Sequence, residues 1–148
     1  MTTNLLQHVA VCPISPASVP WIEATFWHQI RNLRGKPWPL ARLESEAFSR
    51  LLRGKIASAA LLTPVDYPED FLGWVAALDG QVLYAYVRAS LRRKGLGAAL
   101  ITAITDAAPV EVAYWTPDAQ SMAVHGWPIS YSASAYHALL SFARPMAA

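Results

Sequence analysis

One cysteine, Cys12, stands in the 148 residues. That excludes an internal disulfide, and no Cys/His spacing suits a zinc site, so the redox reading is a cytoplasmic chain with Cys12 as a small apolar residue in a strand. Charge is also scarce: 15% of residues are Asp, Glu, Lys or Arg against 54% apolar. This excludes a disordered acidic chain and a basic nucleic-acid-coating tail, both of which need far more charge. No apolar run approaches the roughly 18 residues of a membrane span. The opening "MTTNLLQHVAVCPIS" has neither a basic n-region nor a long apolar segment, so nothing in it reads as a targeting signal or membrane anchor. Internal repeats, linkers and low-complexity segments are absent too.

What is present suits one domain over 1–148 with a sizeable apolar core. Leu6 to Ile14 alternates loosely and reads as a first strand closed by prolines. A helix follows, with Ser18 as N-cap, Pro20 in its first turn, and Trp21, Ile22, Phe26, Trp27 and Ile30 at helical spacing before Gly35. These aromatics read first as core packing, a ligand platform being the alternative. "RNLRGKPWPLAR" reads as a basic, aromatic loop broken by Pro37 and Pro39. It either flanks a substrate or simply connects two helices with Trp38 tucked against the core. A second helix is expected from about Ala41 to Arg53.

Three apolar runs come next: Ile56 to Leu62, Phe71 to Leu78 and Gln81 to Arg88. Asp79-Gly80 between the last two is a hairpin signal, because a two-residue hairpin turn needs positive φ at both positions. Strict alternation in the third strand puts Val82, Tyr84, Tyr86 and Arg88 on one face and Leu83, Ala85 and Val87 on the other. A helix from Gly97 to about Ala107 and a strand from Val110 to Trp115 complete a parallel crossover. The tail offers a short helix in "PDAQSMAVHGW" and strand, helix or both in "PISYSASAYHALLSFA". The fold class is therefore α+β or mixed α/β, with a mostly antiparallel central sheet flanked by helices and one βαβ crossover.

The net charge is only +2, yet Arg88, Arg92, Arg93 and Lys94 crowd the corner "VRASLRRKGLGAAL". Cations at a helix N-terminus oppose the macrodipole, so a purely structural turn would favour acids there. Helix amides without partners, Gly95 and Gly97 opening an approach to the backbone, and adjacent cations together describe an anion cradle for a small molecule. The alternative is a turn that needs glycine, with its cations merely solvated. The Walker pattern is excluded, since Gly35-Lys36 precedes Pro37 and Gly54-Lys55 precedes Ile56. The GxGxxG fingerprint fails at Leu100, and its strand does not begin a βαβ series.

"LYAYVRASLRRKGLGAALI" closely resembles motif A of the GNAT acyltransferase superfamily, Y-V-x-x-x-x-[RQ]-x-x-G-x-[GA], through Tyr86, Val87, Arg92, Gly95 and Gly97. The residue-level likeness covers about Gly73 to Trp115, and the order of elements fits most of the chain. In overall shape the chain is similar to small acetyltransferase-like proteins of bacteriophages and prophages. The resemblance implies acetyl-CoA as co-substrate and an N-acetyltransferase acting on an amine in a ternary complex. It implies backbone contacts from Tyr86, Val87 and Arg88 to pantetheine, and a pyrophosphate cradle from Arg92, Arg93, Lys94, Gly95, Leu96 and Gly97.

The family's "Y-x-x-x-G-F" ending is replaced by "MAVHGW", with Met122 where a catalytic tyrosine would stand. His125, Tyr131 and Tyr136 are the candidate substitutes, each also readable as a turn or packing residue. Asp66, Glu69 and Glu111 are the candidate bases, with loop or solvent-facing roles as their alternatives. A non-catalytic acyl-CoA-binding or interaction module is the other reading. Some phage members of the superfamily modify DNA bases, so nucleic acid stays open as acceptor beside small amines. Six tryptophans in a short apolar chain leave room for a homo-oligomer. No metal, no membrane and a cytoplasmic location are expected.

Overall fold

The structure, a computed structural model, describes residues 5–33, 35–92, 95–106 and 108–143. After a 3₁₀ turn at Leu5–His8, the chain runs β1 (Val9–Pro13), α1 (Val19–Arg31), α2 (Trp38–Arg53), β2 (Ser58–Pro64), β3 (Gly73–Leu78) and β4 (Gln81–Val87). It continues through α3 (Leu96–Ile104), β5 (Val110–Val112), α4 (Pro117–Val124), β6 (Ile129–Tyr131) and α5 (Ala133–Leu140). Among the described residues the six strands form one sheet in sequence order. β1 to β4 are antiparallel, and β4–β5 and β5–β6 are parallel. The domain is α+β with a mixed open sheet. No helix among the described residues is long and apolar enough to cross a membrane.

Each face of the sheet carries its own core. On one face Ile22, Phe26 and Ile30 of α1 and Ala41, Phe48 and Leu51 of α2 meet fully buried Trp74, with α5 closing the layer through Ala135 and Leu139. Phe26 and Phe48 stack at 4.0 Å between ring centroids. On the other face α3 lays Leu96, Leu100 and Ile101 on Leu62, Val75 and Val87. β3 is buried along its whole length because both faces are covered.

The Asp79-Gly80 turn adopts φ 51° and 79°, as a two-residue hairpin requires. The structure departs from strict alternation in β4. Ala76 pairs with Tyr84 but Ala77 pairs with Val82, so Leu83 is the extra residue of a β-bulge. Val82 therefore joins the α3-side core, while Leu83, Tyr84 and Tyr86 all face the α1 side. The second helix begins at Trp38 rather than Ala41, with Pro39 in its first turn. There the missing proline N–H falls on a position without an intrahelical partner. The tail holds both elements, a strand and then a helix, after the short helix α4.

Candidate functional site

β4 and β5 run parallel but share one register pair, Val82 with Val112, closed by the Ala113 amide donating to the Val82 carbonyl at 2.9 Å. Beyond that point the strands separate. The gap opens into a cavity of about 560 Å³ whose walls are Ala85 and Val87 of β4, Val112 of β5, Tyr114 just after it, and Ala98 and Ile101 of α3. α4 and the turn after it close the remaining side with Ala119, Met122, His125 and Trp127. Polar groups gather at Arg92, Thr116, Asp118 and the start of α3. Apolar walls with a few convergent polar groups are the usual make-up of a small-molecule site.

Backbone direction follows from one hydrogen bond. The Arg88 amide donates to the Leu72 carbonyl at 2.9 Å. Direction alternates along an antiparallel ladder, so Tyr84 and Tyr86 turn their backbone groups toward β3, and Ala85 and Val87 turn theirs into the gap. The Val87 carbonyl accepts there from Arg92 Nε at 2.9 Å. Of the three strand-end residues implied by the family likeness, Val87 presents its backbone to the gap and Tyr86 and Arg88 do not. Ala85 is the residue that sequence reasoning missed, because the face of a backbone group depends on the partner strand.

Gly95 is the left-handed N-cap of α3, at φ 81°. The Ala99 amide takes the Gly95 carbonyl at 3.1 Å, leaving the amides of Leu96, Gly97 and Ala98 without intrahelical partners. Cβ atoms added to Gly95 or Gly97 would meet nothing within 4 Å, and both glycines border the cavity. Leu96 contributes only backbone here, since its side chain is core. Arg92 stacks over Tyr86 at 5.7 Å and stands 3.9 Å from Asp118. Arg88 points elsewhere, to Asp70 at 3.5 Å and over Trp21. Arg93 and Lys94 lie outside the described residues.

The three candidate catalytic side chains are not together. His125 caps the end of α4 at the cavity wall, exposed, with Nδ1 2.7 Å from the Ser121 carbonyl. Tyr131 is half-exposed on β6 beside Trp115, outside the main cavity. Tyr136 lies on α5, edge-on to Tyr114 at 5.7 Å, on the face away from α3. Of the candidate bases, Asp66 and Glu69 are exposed in the loop, and Glu111 accepts from Gln81 Nε2.

That face holds a polar cluster not foreseen as a site. Glu44 of α2 is 0% exposed, with Oε1 2.5 Å from Lys36 Nζ. Glu44 Oε2 and the Tyr114 hydroxyl are buried without a hydrogen-bond partner among the described residues. Burial, with Glu44 adding to it, raises the Tyr114 and Tyr136 hydroxyls far above the usual tyrosine range. Tyr84, which also borders the cavity, is pushed up to about 12, mainly by burial. The signal for Glu44 was in the sequence: it shares the core stripe of α2 with Ala41, Ala47, Phe48 and Leu51.

Among the described residues no group of three or more His, Cys, Asp and Glu side chains could hold a metal ion. Compared with known proteins, the chain matches no family model and no curated protein.

Proposed function

We propose that this chain is an acyl-CoA-dependent N-acyltransferase of GNAT type, with acetyl-CoA as donor. The observation that carries the reading is the parting of β4 and β5 after Val82 and Val112, beside the open first turn of α3. An extended pantetheine arm fits such a gap as a surrogate strand, taking backbone bonds from Ala85 and Val87. Its pyrophosphate meets the amides of Leu96, Gly97 and Ala98 and the positive end of the helix dipole. Arg92 adds a charge-assisted contact.

The thioester then lies between the two faces of the sheet, toward Tyr84 and Tyr114. A neutral amine attacks the thioester carbon, the C–N bond forms, and the C–S bond breaks. The ammonium acceptor loses two protons in all: one ends on the departing thiolate and the other in solvent. His125 borders the same cavity and is the nearest of the three sequence candidates to serve the thiolate. The acceptor is left to amine chemistry, with a base of nucleic acid as the larger alternative.

The second reading, an acyl-CoA-binding module without catalysis, is favoured by one observation. Met122, which carries no proton to give, lines the cavity where the family places a tyrosine.

Thermal shift with CoA and acetyl-CoA, followed by free-thiol release over a panel of amines, separates these. A ligand that binds only the native state stabilises it by RT ln(1 + [L]/Kd). A CoA-dependent rise with amine-dependent thiol release is expected. A rise without amine dependence selects the module, and no rise at millimolar CoA overturns both.

A further inference from the structure

The cavity between β4 and β5 is bordered by residues of both cores. Tyr84 and Tyr114 border the cavity yet belong to the core on the α1 and α2 side. Behind Tyr114 the Lys36 ammonium is held 2.5 Å from Glu44, with side-chain exposures of 14% and 0%. It lies over two aromatic faces, 5.1 Å from the Tyr114 ring centre and 5.4 Å from that of Tyr136. A carboxylate and two electron-rich faces around one nitrogen are the chemistry that recognises an alkylammonium ion.

This arrangement is a poor device for stability. A buried ion pair is commonly matched or surpassed by apolar residues of similar volume, because desolvation consumes its Coulombic gain. Glu44 Oε2 and the Tyr114 hydroxyl have no partner at full hydrogen-bond distance among the described residues, although Glu44 is close enough to both tyrosines to raise their hydroxyls. Lys36 is not part of a helix. It sits in the connection between Arg31 and Trp38, and its side chain keeps a 14% exposure while Glu44 has none.

Resting on the acyltransferase reading, we infer that Glu44, Tyr114 and Tyr136 form the acceptor site, taking the ammonium head of a primary amine on an unbranched alkyl chain. Lys36 occupies that site as a built-in stand-in for the acceptor. Exchange of Lys36 for substrate replaces one cation by another, so the Glu44 charge is compensated at the start and the end. The bound amine then stands behind Tyr114, on the acceptor side of the gap.

The test uses the full chain, n-butylamine as probe and n-butanol as its neutral match. K36M removes the stand-in, and K36M/E44Q removes both charges. Butylammonium should raise the melting temperature of K36M at amine concentrations on the order of tenfold below those the wild type needs, because the competing occupant is gone. K36M/E44Q and n-butanol should give no such rise. In the thiol-release assay K36M should lower the KM for butylamine. If K36M does not fold alone, refolding with n-butylamine should rescue it, since the ammonium replaces the lost partner of Glu44.

Equal responses of wild type and K36M, a full response of K36M/E44Q, or no rescue would overturn the inference. A CoA shift with no amine discrimination removes the acceptor site and leaves the transferase reading. An amine shift with no CoA shift overturns the transferase reading, and with it the acceptor role, and leaves an alkylammonium-binding site alone.

Discussion

The indole N–H of Trp74 donates to Thr25 Oγ1 at 2.7 Å, joining the start of β3 to α1 through the core. The threonine hydroxyl in turn donates back into its own helix, toward the carbonyls of Trp21 and Ile22. The indole N–H and the threonine hydroxyl are thus both used, although Trp74 is fully buried. Thr25→Val keeps the volume and orphans the indole, which should cost about 1–3 kcal/mol. A fall in the urea midpoint at unchanged slope would show it. An unchanged midpoint would mean that the indole finds another acceptor.

Gly97→Ala separates the fold from the ligand. The added methyl meets nothing within 4 Å, and alanine is up to about 1 kcal/mol more favourable in a helix than glycine. Stability should hold or rise. The methyl nonetheless projects where a phosphate would approach the first turn, so the CoA-induced thermal shift should shrink. A full CoA shift in this variant would count against the α3 cradle.

Arg92 and Asp118 should act in opposite directions on CoA. Asp118 stands 3.9 Å from Arg92 Nε, and it competes with a phosphate for the same guanidinium. Asp118→Asn should tighten CoA binding several-fold at low salt and Arg92→Ala should weaken it, with both effects shrinking as salt rises. Titration calorimetry at two ionic strengths measures them. Weaker binding in Asp118→Asn would argue that the carboxylate holds α4 in place instead.

Three hydroxyls make the fold sensitive to alkali. Tyr84 is raised to about 12 and Tyr114 and Tyr136 are raised beyond the ordinary value, first by burial in each case. Their folded pKa values exceed the unfolded value of 10.0, so the neutral forms stabilise the fold fully below pH 10. That contribution is lost as pH rises, for Tyr84 between pH 10 and about 12. Denaturant midpoints should fall across that window, and Tyr84→Phe should flatten the fall. A midpoint independent of pH there would show that the tyrosines ionise without unfolding the chain.

The parts of this architecture set by neighbouring residues were legible in advance. Asp79-Gly80 specifies its hairpin through its own backbone angles, and the cations with Gly95 and Gly97 mark the corner before α3. What depended on a partner strand or a distant helix was not. The bulge at Leu83 moves Val82 to the other face because β3 offers Ala76 and Ala77 in adjacent pairings, and nothing local to β4 announces it. Pro37 and Pro39 read as breakers, yet Pro39 starts a helix because its position asks for no amide. Glu44 stood visibly in an apolar stripe. Its meaning came only from Lys36, Tyr114 and Tyr136, which three separate segments bring to it.

The separation of β4 from β5 also divides the backbone network of the sheet. On one side four antiparallel strands pair along most of their length, interrupted at the Leu83 bulge. On the other, β5 and β6 form a small parallel pair, reached across the middle by the Val82–Val112 register pair and by α5 packing onto the face it shares with α1 and α2. Two such units can open at different free energies. Amide exchange should therefore find two levels of protection in one domain, the lower one in the segment from Val110 to Leu140.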